Sequence, residues 1–392
     1  MAANGAQRPI LIIGGGIGGL ACALALARTG RPAHVLEQAS GFREVGAGIQ
    51  LGPNTFRMFD RLGLTEAVDA VAVYPGNLVM MDGITGEEVT RVPLSGMRER
   101  FGYPYAVIHR GDLLAAILGA CRQSNLVTLE TSRKVAAVQD RGDRVVVATE
   151  DGTEYEGAGA IGCDGLWSLV RAELVADGPP RVSGHVAYRA VLPTPEFPEA
   201  MRRNDVVLWA GPKNHLVHYP LRRGELYNLV AVFHSSRYEE GWNSFGDPGE
   251  LREHFRPNRS EVRALLDKIE EWRMWVLCDR EPVRRWSRGR VVLLGDAAHP
   301  MLQYLAQGAG MAIEDAVELA AQVERAGDDL PAAFESYVDA RYLRTARVQV
   351  MARVYGEFYH AAGVVRELRN MALGSRTPEQ AIEGSAWLYG GP

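Results

Sequence analysis

The residues best suited to chemistry begin with a glycine-rich motif near the start of the chain. Gly14, Gly16 and Gly19 follow the pattern G-x-G-x-x-G between a predicted buried strand and a predicted helix. Glycines at these positions permit a tight turn and bring backbone N–H groups close to a pyrophosphate. Glu37 ends the next predicted strand, where a carboxylate can accept hydrogen bonds from a ribose diol. The motif predicts a dinucleotide site, but it does not distinguish FAD from NAD.

Two further motifs place carboxylates at the ends of predicted strands. Asp164 lies in the string Gly-Cys-Asp-Gly and could approach a cofactor, although the string alone is typical of a structural turn. Asp296 follows a predicted buried strand and precedes a helix that begins near Gly308. A strand-end carboxylate suits a sugar-like hydroxyl, and a glycine-rich helix start presents a positive dipole to a developing anion. A capped turn explains the Asp296 motif alone equally well.

Two histidines in one predicted strand offer acid–base chemistry. His215 and His218 would share one face of a helix and could then bind a metal, but their segment is predicted as a strand. Alternation along the strand puts His215 and Tyr219 on one face and His218 on the other, so no metal site is expected. The alternative is that these residues only pack in the core. Arg189 could anchor a carboxylate, but a structural ion pair explains it as well, and it is left out of the predicted site.

An α/β fold would position these motifs. The predicted strand at residues 10–13, helix at 20–27 and strand at 33–37 form a βαβ unit, and apolar runs then alternate with helical patterns. Strand-like runs dominate residues 182–283, which indicates an inserted antiparallel sheet. Later helices are expected at 308–325 and 332–359. The remaining predicted strands are 145–149, 155–161, 206–210, 215–219, 226–233 and 291–294.

The composition excludes several function classes. The 392 residues carry a net charge of −5, which gives no field to attract nucleic acid, so nucleic acid is not an expected partner. The four cysteines lack C-x-x-C spacing, which predicts no disulfide framework and fits a reducing cytoplasm. The uncharged stretch at residues 9–27 contains five glycines, so it predicts a strand, turn and helix and not a membrane span or signal peptide.

Together and in this order, the three motifs resemble those of the single-component FAD-dependent aromatic hydroxylases of the p-hydroxybenzoate hydroxylase type. The resemblance extends from Ile10 to about Ala346. It implies a Rossmann-like FAD-binding domain with an inserted antiparallel-sheet substrate domain and a helical C-terminal segment. On this interpretation residues 1–175 form the first part of the FAD-binding domain, residues 176–285 the substrate domain, and residues 286–392 the return to the FAD-binding domain with the C-terminal helices.

The resemblance also implies FAD as the bound cofactor. Glu37 would bind its adenosine ribose, Asp296 its ribityl or pyrophosphate region, and Asp164 is similar to a residue implicated in handling both FAD and NAD(P)H. Only one G-x-G-x-x-G motif is present, so the nicotinamide nucleotide, with NADH expected ahead of NADPH, would bind transiently, and O2 is the other co-substrate. The residues expected to bind FAD are Gly14, Gly16, Gly19, Glu37, Arg43, Arg110, Asp164, Asp296 and Gly308.

Short strings near the third motif resemble the family members that hydroxylate 3-hydroxybenzoate at carbon 6. They include Leu-Gln-Tyr-Leu-Ala at residues 302–306, where Gln303 replaces the proline of many relatives, and the segments 214–220 and 103–105. The resemblance implies conversion of 3-hydroxybenzoate to 2,5-dihydroxybenzoate (gentisate) through a C4a-hydroperoxyflavin. Hydroxylation of salicylate at carbon 1 and of 6-hydroxynicotinate at carbon 3 are the alternatives within the family.

This chemistry requires a ring activated by loss of its phenolic proton. An unperturbed phenol titrates near ~10, so a base or relay of lower pKa must lie within hydrogen-bond reach. His215 is the expected base, and Gln303 is expected to orient the hydroxyl and pass a proton through the network. Tyr105 and Tyr219 are the expected substrate-binding residues.

Two function classes compete with this interpretation. A flavin dehydrogenase or oxidase would use FAD without inserting oxygen, and a nucleotide-sensing module would bind a dinucleotide without catalysis. The expected partner is a small aromatic acid, with no nucleic acid and no membrane span, and a homodimer is left open as the assembly.

Overall fold

The computed structural model describes residues 7–43, 47–236 and 244–391. In chain order the strands are β1 (Ile10–Ile13), β2 (Ala33–Leu36), β3 (Gly48–Leu51), β4 (Asn77–Asp82), β5 (Glu88–Pro93), β6 (Ala106–His109), β7 (Val127–Glu130), β8 (Val135–Asp140), β9 (Val145–Thr149), β10 (Glu154–Gly157), β11 (Gly159–Gly162), β12 (Arg181–Pro193), β13 (Val206–Gly211), β14 (Asn214–Leu221), β15 (Leu226–His234), β16 (Ser244–Phe245), β17 (Arg273–Asp279), β18 (Ser287–Arg288) and β19 (Val291–Leu293). The helices are α1 (Ile17–Arg28), α2 (Pro53–Leu62), α3 (Thr65–Asp69), α4 (Ser95–Phe101), α5 (Arg110–Gln123), α6 (Leu169–Leu174), α7 (Pro248–Phe255), α8 (Ser260–Leu266), α9 (Gly308–Ala326), α10 (Leu330–Tyr359), α11 (Gly363–Gly374), α12 (Pro378–Gly384) and α13 (Ala386–Tyr389).

A six-stranded sheet forms the first core, in the order β18-β19-β11-β1-β2-β7. β1 pairs in parallel with both β2 and β11, and β11 pairs in parallel with β19. All four residues of β1 are buried, as expected for a central strand covered on both faces. Because parallel strands end at the same edge, the residues that follow β1, β2, β11 and β19 meet there. The predicted βαβ unit and α/β fold class are confirmed.

An eight-stranded sheet forms the second core, in the order β16-β17-β12-β15-β14-β13-β4-β5. Its pairs are antiparallel except for β4 with β13, and β14 lies between β13 and β15. The predicted antiparallel sheet is confirmed. Strands β4 and β5 join it from the segment that the sequence analysis assigned to the FAD-binding domain. The domain division at residues 175 and 285 stays a prediction.

One predicted strand is wrong. The sequence pattern indicates a single strand over residues 155–161, but β10 ends at Gly157 and pairs with β9, whereas β11 joins the parallel sheet beside β1. A Cβ atom at Gly157 would lie 2.6 Å from the Leu11 side chain, so the chain passes closely over β1 between the two strands. The apolar pattern alone does not reveal which neighbour each half pairs with.

The C-terminal part is helical, as predicted. Helix α10 spans 30 residues and ends at Tyr359, which places the following residue, His360, beside the ends of β14 and β15. Among the described residues, no helix combines the length and the apolar character needed to cross a bilayer.

Candidate active site

A cavity of about 670 Å³ is lined by the eight-stranded sheet, by residues that follow β1, β11 and β19, and by the α9 and C-terminal helices. It contains residues from all three predicted motifs, although Gly14 and Gly19 of the glycine turn lie outside its lining. The predicted site residues that line it are Gly16, Tyr105, Arg110, His215, Tyr219, Asp296, Gln303 and Gly308. The predicted residues outside its lining are Gly14, Gly19, Glu37, Arg43 and Asp164.

The glycine turn between β1 and α1 has no room for side chains. Gly14 has a φ of +106°, and a Cβ atom there would lie 2.4 Å from the carbonyl oxygen of Cys163. A Cβ atom at Gly19 would lie 2.0 Å from the carbonyl oxygen of Gly14. The start of α1 therefore packs tightly under the turn, and Gly16 and Ile17 line the cavity. This arrangement fits a pyrophosphate bound at a helix N-terminus.

Glu37 lies beside this turn, at the end of β2. Its two carboxylate oxygens accept hydrogen bonds from the backbone N–H groups of Gly15 and Ala39, both at 2.7 Å. An ionised carboxylate has about four acceptor positions, so two stay available for a ribose diol. Glu37 can therefore hold the turn and bind a nucleotide at the same time. Arg43 is exposed, and its predicted contact with FAD stays a prediction.

The Asp164 carboxylate forms hydrogen bonds within its own loop. Its carboxylate accepts hydrogen bonds from the Ser168 hydroxyl at 2.5 Å and from the Val170 N–H at 3.2 Å, at the start of α6. Burial raises the pKa of this carboxyl group. These contacts match the structural role weighed for the motif, while the neighbours Cys163 and Gly165 line the cavity. A role for Asp164 towards FAD or NAD(P)H stays a prediction.

The third motif is fixed to α9 by buried hydrogen bonds to Asp315. His299 and Asp315 lie 2.5 Å apart between Nε2 and Oδ2, and the same carboxylate accepts from the Gly295 N–H at 3.1 Å. Arg341 of α10 donates to the other oxygen of Asp315 at 2.6 Å. Burial opposes ionisation of Asp315, but its hydrogen bonds and electrostatic interactions with His299 and Arg341 prevail and lower its pKa. The turn that carries Asp296 into the cavity is therefore rigidly positioned.

Strand β14 presents alternate residues to the cavity. His215, Val217 and Tyr219 line it, whereas Leu216 and His218 lie in the core on the opposite face. The predicted alternation is confirmed. His215 is 3% exposed, and burial, reinforced by nearby His185, lowers its pKa to about 3. Its imidazole is therefore neutral at physiological pH and keeps one ring nitrogen as a hydrogen-bond acceptor.

Two tyrosines predicted to bind substrate line the same cavity. The Tyr105 hydroxyl donates to the side-chain oxygen of Gln50 at 2.6 Å. Burial raises the pKa of both Tyr105 and Tyr219, so their hydroxyl groups stay protonated and can donate hydrogen bonds. Gln50 was missed by the sequence analysis because it lies in the short strand β3, where no motif marks it.

Arg189 belongs to the cavity, although the sequence analysis left it out of the predicted site. Its NH2 group donates to Oε1 of Gln303 at 2.5 Å, and its guanidinium lies 5.0 Å from the ring centre of Trp275. The described part of the chain contains no carboxylate within ion-pair distance of it, and its Nε lacks a partner there. Burial, with nearby Arg110, lowers the Arg189 pKa to about 10, so the group stays charged near neutral pH. The structural ion pair that the sequence allowed is absent from the described residues.

Three further histidines gather behind His215. His185, His234 and His360 come from β12, β15 and the end of α10, and a set of their ring nitrogens lies within 4.8 Å, close enough for an ion. No metal site is expected from the sequence, and this group of histidines has no sequence signal, because no spacing links residues on three separate elements. Two of the nitrogens already share a hydrogen bond: His360 Nδ1 and His234 Nε2 are 3.0 Å apart. His185 Nδ1 bonds the Tyr304 hydroxyl at 2.5 Å.

His218, on the far side of β14, should make the protein sensitive to acid. Burial, with nearby Arg203, lowers its pKa to about 3, below the ~6.5 of an unfolded histidine. Between these values the unfolded chain binds a proton that the folded chain does not, so the free energy of unfolding falls as the pH falls. In urea unfolding of the holoenzyme from pH 6.5 to 4.5, His218→Asn should flatten this dependence by up to about 1.4 kcal/mol per pH unit. An unchanged slope would contradict the burial assigned to His218.

Comparison with known proteins gives a consistent set of relatives. The profile of the family described as FAD binding domain matches residues 7–350. Over 391 residues, 100% of this chain and 98% of the relative, the sequence is 46% identical to the 3-hydroxybenzoate 6-hydroxylase of Polaromonas naphthalenivorans. It is 45% identical to 3-hydroxybenzoate 6-hydroxylase 1 of Aquipseudomonas alcaligenes, over 97% of each chain. The solved structure of Klebsiella pneumoniae HpxO with FAD and uric acid matches with a TM-score of 0.86 and 26% identity, over 96% of this chain and 95% of that chain.

Proposed function

The chain belongs to the FAD-dependent aromatic hydroxylases, and on that premise we propose that it hydroxylates 3-hydroxybenzoate at carbon 6 to give 2,5-dihydroxybenzoate (gentisate). The observation that carries this proposal is the position of His215, Gln303 and Arg189 along one cavity. A phenolic acid needs a base for its hydroxyl, a partner that orients that hydroxyl, and a cation for its carboxylate. These three residues supply the three functions.

The glycine-rich edge of the cavity fits FAD. The Gly14 to Gly19 turn would hold the pyrophosphate at the start of α1. Glu37 would bind the adenosine ribose through its two available acceptor positions, and Asp296 would bind the ribityl chain. When bound, FAD supplies the redox chemistry that activates O2 for transfer of one oxygen atom to the ring. The protein's own contribution is to bind the substrate, activate its ring and keep water out.

His215 acts on the phenolic proton. Removing this proton raises electron density at the ring positions ortho and para to the oxygen, and carbon 6 of 3-hydroxybenzoate is para to its hydroxyl. Nδ1 of His215 is hydrogen-bonded to His360, which leaves Nε2 to accept the proton. Water must be excluded while oxygen is transferred, because reduction of O2 would otherwise end as H2O2.

Gln303 stabilises the resulting phenolate. An arginine side chain has only hydrogen-bond donors, so the atom of Gln303 that bonds to Arg189 is its acceptor oxygen, Oε1. The amide nitrogen of Gln303 is left for the substrate. This nitrogen donates a hydrogen bond to the phenolate oxygen. Tyr219 adds a hydroxyl group to the wall of the site, and Tyr105, whose hydroxyl donates to Gln50, adds its ring.

Arg189 binds the substrate carboxylate. It is the partly buried cation that lies next to Gln303, and a carboxylate would satisfy its Nε, which has no partner in the described part of the chain. A bidentate pair between a guanidinium and a carboxylate also fixes the orientation of the ring. The hydroxyl and the carboxylate of 3-hydroxybenzoate would then be held by adjacent residues.

The proposal extends to the reductant and the setting of the enzyme. NADH binds transiently as the reductant, since the single G-x-G-x-x-G motif is needed for FAD. The cytoplasm is the proposed compartment, because it supplies NADH and suits cysteines whose spacing predicts no disulfide framework. The proposed assembly is either a monomer or a homodimer, and measurement of the mass in solution would distinguish the two.

The direct test is a substrate screen with the purified holoenzyme under isotopically labelled O2. We expect bound FAD, NADH oxidation stimulated by 3-hydroxybenzoate, and gentisate that carries one labelled oxygen atom. Catechol from salicylate, or 2,5-dihydroxypyridine from 6-hydroxynicotinate, as the better product would reassign the substrate. Product without labelled oxygen would indicate a dehydrogenase or oxidase, and failure to bind FAD would overturn the proposal altogether.

A further inference from the structure

His215 is the first member of a chain of three imidazoles. Its Nδ1 lies 2.7 Å from Nε2 of His360, and Nδ1 of His360 lies 3.0 Å from Nε2 of His234. His215 and His360 are 3% and 4% exposed, whereas His234 is only partly buried among the described residues. The row of three imidazoles therefore runs from the cavity towards a more accessible histidine.

The direction of these hydrogen bonds suits proton transfer away from the cavity. A neutral imidazole carries one N–H group and one acceptor nitrogen. If His215 accepts at Nε2, its own proton is on Nδ1 and is donated to Nε2 of His360. His360 then carries its proton on Nδ1 and donates it to Nε2 of His234. One arrangement of protons thus satisfies both observed hydrogen bonds and presents a free acceptor to the substrate.

We propose that His215, His360 and His234 form a proton relay that carries the phenolic proton from the cavity to solvent and returns a proton to the product. This inference rests on the proposed function, since it concerns the same hydroxyl group. The substrate O–H bond breaks as an N–H bond forms at Nε2 of His215. The Nδ1 protons of His215 and His360 each move to the next Nε2, and the Nδ1 proton of His234 leaves to water.

The balance of this step also explains how the relay resets. After one proton has passed, the net change is one proton lost by the phenol and one gained by water, and every imidazole is neutral with its proton on Nε2. Passage of a proton in the reverse direction, to the phenolate oxygen of the product, restores the starting arrangement. The same three residues therefore activate the substrate and prepare the product for release.

Burial makes such an exit necessary. His215 and His360 have pKa values lowered by burial, so neither ring is a stable place for a positive charge. Burial also lowers the pKa of His234, but the nearby exposed carboxylate of Glu357 opposes that effect, while Lys213 and His254 reinforce it. A proton leaving His215 therefore moves towards His234, the end of the row of imidazoles that lies near an anion.

Backbone hydrogen bonds hold the last two rings in line. The Lys213 N–H donates to the His360 carbonyl oxygen at 2.9 Å, and the His234 N–H donates to the Lys213 carbonyl oxygen at 3.1 Å. Lys213 has a φ of +58° in the turn between β13 and β14. This single turn fixes both histidines relative to the strand that carries His215.

His185 provides a matched control within the same cluster. Its ring packs against His234 with centres 4.2 Å apart and the planes tilted by 31°, but its Nδ1 is bonded to Tyr304 and it forms no link between the three relay residues. Its pKa is lowered to about 4 by burial, with nearby His234, so it is neutral near pH 7. Replacing it by glutamine exchanges one neutral polar group for another.

The test measures proton release when 3-hydroxybenzoate binds to the oxidised holoenzyme, with a pH indicator in weakly buffered solution. His360→Gln should slow this release by about 10²-fold or more, the low end of the effect of losing an acid–base group, with substrate affinity nearly unchanged. Added imidazole should restore part of the rate. His234→Gln, at the less buried end, should slow release as well and decides the matter if His360→Gln fails to fold. His185→Gln should release the proton at the wild-type rate.

The outcomes separate the relay from the proposed function. If the wild-type protein does not hydroxylate 3-hydroxybenzoate, the proposed function fails and the relay with it. If it makes gentisate but releases no proton on binding, or if His360→Gln and His234→Gln release it at the wild-type rate, the function stands and the relay is overturned. Equal slowing by His185→Gln would also overturn it, because the effect would then come from disturbing the cluster as a whole.

Discussion

Replacing His215 by asparagine is expected to lower gentisate formation by about 10²–10⁴-fold while FAD binding and substrate-stimulated flavin reduction stay near wild type. The reason is that neither cofactor binding nor hydride transfer requires a phenolate, whereas attack on the ring does. NADH oxidation should continue and end in H2O2, so product formed per NADH consumed should fall. The measurement is gentisate, NADH and H2O2 counted in the same reaction.

His218→Asn is the control on the opposite face of β14. His218 is fully buried and its Nε2 accepts a hydrogen bond from the Trp209 indole at 3.2 Å, away from the cavity. Its replacement should alter stability but leave the ratio of gentisate to NADH close to wild type. If His218→Asn uncouples the reaction and His215→Asn does not, the assignment of His215 and Tyr219 to the substrate side is wrong.

The orientation of His215 could be predicted because it depends on local geometry alone. Side chains alternate along any strand, so once residues 214–221 are recognised as β14 the faces of His215 and His218 follow. The glycine turn was equally predictable, since close packing under it excludes side chains at Gly14 and Gly19. In both cases the physical cause acts within a few neighbouring residues.

The partners of His215 could not be predicted, because they come from distant elements. His360 follows a helix of 30 residues and His234 ends a different strand, and only tertiary packing brings their rings into line. The break between β10 and β11 has the same origin, because each half follows its neighbour in a different sheet. Sequence patterns record which residues are apolar, but not which strands they will pair with.

Arg189 shows that the partners of a charged side chain are also determined by tertiary structure. In the sequence, an arginine within a strand is equally compatible with an ion pair and with a ligand site. In the fold, its cross-strand neighbours are Val230 on β15 and another arginine, Arg273, on β17, and its hydrogen-bond partner Gln303 is neutral. A partly buried cation that has no carboxylate partner among the described residues calls for a negative charge from elsewhere, and a carboxylate substrate supplies one.

Arg189→Met should raise the KM for 3-hydroxybenzoate by roughly 30- to 5000-fold, because losing one partner of a buried charge pair costs about 2–5 kcal/mol. Methionine keeps most of the apolar stem and removes the guanidinium. Arg273→Met is the matched control, since Arg273 stands opposite Arg189 in the sheet but outside the cavity lining, and its KM should stay close to wild type.

A substrate without a carboxylate separates the two roles that Arg189 could have. If Arg189 binds the carboxylate, wild-type protein and Arg189→Met should bind 3-hydroxybenzyl alcohol with similar affinity, because that compound offers no anion to lose. If Arg189 acts only by holding the Gln303 amide, the variant should instead lower kcat for both compounds while the KM for 3-hydroxybenzoate hardly changes. The second pattern would remove Arg189 from the substrate-binding site and leave it as a residue that positions Gln303.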